Sequence, residues 1–171
     1  VKGVRSVLEG EMSVYDGFHI AVATYIIRYR ISELYEFIPS LMQRFEYDYE
    51  RLNIIVDLLQ LGNHGLKISR EVLSYLSEED KIYYYERLLL NDNKGLVLTS
   101  EDKVLALNYI REHYDTYSEY MKQKALRILF AYGCEDALDW GLEMFDSCQT
   151  WAYMDNFPTL SRYSGKSFDI L

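Results

Sequence analysis

The chain is poor both in residues that interrupt helices and in residues that build reactive sites. Of its 171 residues only two are proline, Pro39 and Pro158, and they lie far apart. Proline inside a helix removes a donor and clashes with the preceding turn, so this scarcity permits long helices. Cysteine is equally scarce, with Cys134 and Cys148 the whole complement. Two isolated cysteines make no disulfide framework, and a reducing, cytoplasmic setting is expected. Positive charge is in deficit: 18 Lys and Arg stand against 27 Asp and Glu, a formal net charge of −9. Nucleic-acid binders draw much of their affinity from neutralising phosphates, so this balance argues against DNA or RNA as the main ligand. It argues equally against docking on anionic lipid. No run approaches the roughly 20 apolar residues of a membrane helix; the longest, 20–27, is interrupted by Thr24. Residues 1–5 lack the apolar core of a signal peptide. The chain opens on Val1 rather than methionine, which reads as a processed or excised piece of a larger protein.

Patterns that advertise catalysis are missing too. There is no Gly-x-Ser-x-Gly elbow and no glycine-rich phosphate loop, the nine glycines being scattered as turn punctuation. His19, His64 and His113 have no second histidine or cysteine within a helical turn, so no metal site is expected. His113 instead suits a helix C-terminus, where positive charge complements the dipole. Cys134 follows Gly133 at a helix start, a setting that can lower a thiol pKa. A small buried apolar residue is the simpler reading of it. No catalytic, cofactor-binding or metal-ligating residue is therefore expected.

What is present is helical periodicity. The apolar fraction of 49% suffices for a core, and apolar residues recur at intervals of three and four from residue 14 to residue 146. The spacing predicts helices over 15–30, 32–45, 48–61, 65–76 and 78–90, the last opened by Ser77 with Glu78, Glu79 and Asp80 in its first turn. Pro39 should kink the second or mark its true start. After the Asn91–Gly95 loop, Thr99 or Ser100 caps a sixth helix. Thr116-Tyr117-Ser118-Glu119 has the form of a capping box for a seventh, and 135–145 forms an eighth. No segment alternates as a strand does. The fold class is all-α, with about eight helices.

Two stretches share a form: a charged start, a run rich in leucine and isoleucine, a glycine, then a second apolar helix. They are 51–76, turning at Gly62, and 124–145, turning at Gly133. This form resembles the HEAT or armadillo-like α-solenoids, best at 124–145. The resemblance implies four antiparallel hairpins stacked as an array with an extended binding face; an irregular helical bundle is the alternative. On this reading residues 1–13 are a lead-in, 14–146 the helical-repeat domain and 147–171 an aromatic-rich tail or cap.

Two features suggest how such a domain could bind. The chain holds 17 tyrosines, three of them consecutive, Tyr83, Tyr84 and Tyr85. Consecutive residues spread around a helix, so at least one ring should face outward, and tyrosine suits surfaces that are part apolar and part wet. Glu135, Asp139 and Glu143, continued by Asp146, form an acidic stripe on the eighth helix. Lys122, Lys124 and Arg127 on the preceding helix are opposite in sign. The functional expectation is a non-catalytic interaction or scaffold module taking a protein or peptide, basic in character. The rival from another class is a helical-bundle enzyme or small-ligand binder with a tyrosine-lined pocket.

Overall fold

The computed structural model describes residue 6 and residues 17–91, 95–135 and 137–147. Every regular element among them is helical, in eight α-helices: α1 (Phe18–Arg28), α2 (Ile38–Met42), α3 (Asp48–Leu58), α4 (Asn63–Val72), α5 (Glu78–Leu90), α6 (Ser100–His113), α7 (Glu119–Ala131) and α8 (Ala137–Ser147). No strand occurs among the described residues. The chain divides into two compact units, 1–99 and 100–171, a boundary that falls inside the segment read above as one helical domain. The tail beyond residue 147 and, apart from residue 6, the lead-in over 1–13 lie outside the described residues.

In the first unit α3 is the central element, contacting α1, α4 and α5. Packing on several sides widens its apolar face beyond the stripe its sequence suggests. Ile54, Ile55, Leu58 and Leu59 are fully buried, whereas Leu52 and Val56, expected to share the inner face, are only half-buried. Ile26, Leu34, Ile38, Met42 and Ile82 complete this core. One polar bridge crosses it: the buried Ser69 hydroxyl donates to the Leu66 carbonyl at 2.8 Å and lies 2.9 Å from the Tyr84 hydroxyl, tying α4 to α5.

The helix ends explain where the predicted boundaries move. Arg30 has a φ of 52°, so α1 stops at Arg28 rather than Arg30. The Arg30 amide donates to the Ile27 carbonyl and the Ile31 amide to that of Ile26, a Schellman closure with arginine where glycine is usual. Pro39 does mark a start: it occupies the first turn of α2, where its missing N–H costs nothing. The 32–45 pattern is accordingly a 3₁₀ segment, Ser32–Phe37, followed by a short α-helix. α4 begins two residues before its expected start because Gly65 lies inside it, against α3. A Cβ at Gly65 would stand 1.7 Å from the Leu58 carbonyl oxygen, so only glycine admits this approach.

Ser77 caps α5 as its sequence implies, accepting from the Asp80 amide at 3.2 Å. The expected Thr116–Glu119 capping box does not form. Thr116 belongs to a 3₁₀ turn, Tyr114–Thr116, that extends α6, and its hydroxyl donates back to the His113 carbonyl. Ser118 is the N-cap residue of α7.

In the second unit α7 packs against both α6 and α8 around Ile110, Ala125, Ile128, Leu129 and Ala137. α7 ends in the same Schellman closure as α1, here with glycine: Gly133 has a φ of 70°, its amide donates to the Phe130 carbonyl, and the Cys134 amide donates to that of Leu129. Cys134 is buried. His113 is the last residue of α6, with its Nδ1 2.9 Å from the Tyr109 carbonyl.

Candidate functional site

The tyrosine triplet lies on α5, and most of it faces inward. Tyr84 and Tyr85 are buried, their rings edge to face at 5.4 Å; only Tyr83 is half-exposed. The reading of Tyr84 and Tyr85 as partner-binding residues does not fit their burial in the first unit's core, and the Tyr84 hydroxyl meets Ser69; Tyr83 keeps the outward place expected of at least one ring. The exposed tyrosines are others. Tyr25 on α1 and Tyr29 just past its end contact each other, Tyr47 and Tyr49 stack at 5.6 Å beside the start of α3, and Tyr120 lies exposed on α7.

The acidic stripe fares differently along its length. Glu135 and Asp139 are exposed in the turn before α8 and in its first turn. Glu143, one turn further on, borders a cleft of about 220 Å³ lined by Tyr114, Asp115, Glu119, Lys122, Trp140, Glu143 and Met144. Three elements build it. The 3₁₀ turn after α6 supplies Tyr114 and Asp115, the first turn of α7 supplies Glu119 and Lys122, and α8 supplies Trp140, Glu143 and Met144. Spacings of three and four residues put the last three on one helical face.

Aromatic stacking organises this cleft. The Tyr114 and Trp140 rings are parallel within 7° with centroids 4.4 Å apart, a favourable offset arrangement. Lys122 holds its ammonium 5.8 Å from the Tyr114 ring centre and 3.3 Å from the Glu119 carboxylate. Three carboxylates face one ammonium, an excess of two negative charges in the lining. Burial, then Glu119, Glu143 and Asp115, push the Tyr114 phenol well above its ordinary range. Both causes disfavour a further anion there; the carboxylates, unlike the burial, favour a cation.

Two other clefts lie in the first unit. One, of about 360 Å³, is lined by Glu33, Tyr35, Glu36, His64, Lys67 and Glu71 among others, with the Tyr35 and His64 rings edge to face at 4.9 Å. The other, of about 300 Å³, lies beside His19, Arg44 and Tyr47. Each of the three holds a single tyrosine. Among the described residues no group of three His, Cys, Asp or Glu side chains could hold a metal ion, and no helix is long and apolar enough to cross a membrane.

Comparison with protein-family models, with curated proteins and with solved structures finds no match to this chain. Of the six residues singled out by sequence, only Glu143 reaches the aromatic cleft. Tyr114, Trp140 and Glu119 were missed as site residues because Trp140 is distant in sequence from the other two and meets them only when α8 folds onto the turn after α6. The available signal was the sign alternation between Lys122 on α7 and the acids of α8.

Proposed function

We propose that the protein is a non-catalytic interaction module whose α6–α8 cleft receives a basic segment of a partner protein. The observation that supports this most directly is the parallel Tyr114–Trp140 stack rimmed by Asp115, Glu119 and Glu143. Aromatic faces attract cations through their quadrupole, and neighbouring carboxylates add charge-assisted hydrogen bonds. The overall charge of −9 would steer a basic ligand toward the protein and slow its escape at low salt. A HEAT-like array is part of the same proposal. It is supported by 51–76 and 124–145 each being two helices joined at a glycine of positive φ, Gly62 and Gly133, units of the kind that such arrays stack.

The test is anisotropy of a fluorescent Arg- and Lys-rich peptide titrated with the full chain, beside a peptide whose basic residues are replaced by glutamine. The basic peptide should bind and should weaken as salt rises. Glu143→Gln should cost about threefold, and Trp140→Phe, which keeps a ring but loses stacking area, about three- to tenfold. Equal binding of the two peptides, or indifference to both substitutions in folded protein, would overturn the proposal.

A further inference from the structure

Lys122 occupies the position a ligand cation would take. Its ammonium lies over the Tyr114 ring and pairs with Glu119, the same two groups on which an incoming basic side chain would rest. The pair is one helical turn, i to i+3, with Lys122 about one-quarter exposed and Glu119 63% exposed. Exposed pairs of this kind are weak and readily broken. Lys122 is also on a flexible four-carbon stem, free to swing into solvent without moving α7.

We infer that Lys122 is the cleft's resident cation in the unbound protein, and that an arginine side chain of the partner displaces it; this rests on the proposed function above. Arginine is the cation best suited to do so. Its guanidinium is planar and less strongly hydrated than an ammonium, it stacks on aromatic faces, and its fork can engage two carboxylates together. The cleft offers both features, the flat Tyr114–Trp140 stack and the Asp115, Glu119 and Glu143 carboxylates. A ligand lysine gains only what Lys122 already has. Lys122 thereby sets a threshold: cations no better than an ammonium are turned away, and the cleft answers chiefly to arginine.

Lys124 provides the matched control. It sits two residues along the same helix, with its ammonium over Tyr120 at 5.3 Å and outside the cleft lining. Removing either lysine changes the net charge by one, but only Lys122 competes for the site. The indole N–H signal of Trp140, assigned with Trp140→Phe, would be followed by NMR as capped five-residue peptides are added to the full chain. The peptides carry a single central arginine or lysine in a Gly/Ser frame. Lys122→Met and, as a second variant that remains polar, Lys122→Gln should both bind the arginine peptide about three- to tenfold tighter than the parent. Lys124→Met should change affinity less than twofold, and the parent should prefer arginine over lysine at least threefold.

Equal tightening by Lys122→Met and Lys124→Met would mean bulk charge alone and would sink the displacement idea while the basic-peptide function stood. Weaker binding in both Lys122 variants would do the same, making Lys122 part of the ligand's own contact set. A parent that binds both peptides alike removes the arginine preference. If no peptide moves the Trp140 indole in any variant, the displacement idea and the proposed function fall together.

Discussion

Arg30 and Gly133 close two helices with the same pair of hydrogen bonds but with different residues in the left-handed position. A side chain there brings Cβ too close to the following carbonyl, at a cost of about 1–2 kcal/mol that glycine avoids. Glycine gives part of this back through its larger unfolded-state entropy. Arg30→Gly should therefore raise stability by about 0.5–1 kcal/mol, read as a higher urea midpoint with an unchanged slope. The arginine contributes little to offset this, since its guanidinium reaches the Gln60 carbonyl only at 3.4 Å and near the surface. No periodicity announces such a position. Gly133 was legible as a helix stop because glycine favours it, and Arg30 was not, because arginine does not.

At the next scale up, the α3–α4 hairpin depends on Gly65, where two helix backbones meet without an intervening side chain. A methyl group 1.7 Å from the Leu58 carbonyl oxygen cannot be relieved by rotating anything, since the obstacle is main chain. Gly65→Ala should cost about 3 kcal/mol or more by forcing α4 away from α3, measurable as a large fall in the urea midpoint. A helical glycine to alanine change elsewhere would ordinarily be favourable, so a gain in stability would refute the close approach. The helices themselves were largely readable. The apolar periodicity of 68, 72 and 76 corresponds to three buried residues, and Ser77 is the cap that its following acids implied. What could not be read was tertiary: α3 packs on more sides than one stripe serves, and Thr116 bonds back into α6 instead of starting α7.

For the molecule as a whole, the abundance of tyrosine has a consequence at high pH. Burial raises the phenols of Tyr114, Tyr35 and Tyr132 above their ordinary value of 10.0, with nearby carboxylates adding to the effect at Tyr114. The folded state thus favours the neutral phenol more than the unfolded chain does. Stability from these groups is intact below the unfolded value and declines as pH rises through and beyond it. The urea midpoint should hold steady between about pH 8 and about pH 9.5 and fall above about pH 10. Tyr114→Phe should make the fall shallower, and an unchanged slope would show that Tyr114 ionises no differently folded or unfolded. The aromatic excess was plain in the composition, but which rings are core and which are surface was not. Tyr84 is covered and Tyr29 is 62% exposed, the first inside α5 and the second at the cap that ends α1.

The chain after α5 returns to the α3–α4 turn. The Gly62 position is so close to Gly95 that a Cβ there would meet the Gly95 carbonyl oxygen at 2.5 Å, and the Val97 amide donates to the Asn63 side chain at 3.0 Å. Those two partners are 34 residues apart. Closing a loop of that length carries an entropic cost that local helix formation does not, and the cost is smaller once α4 and α5 have both packed on α3. The Val97 amide is therefore expected to exchange with solvent before the amides of the helices behind it, which hydrogen exchange on the full chain would read.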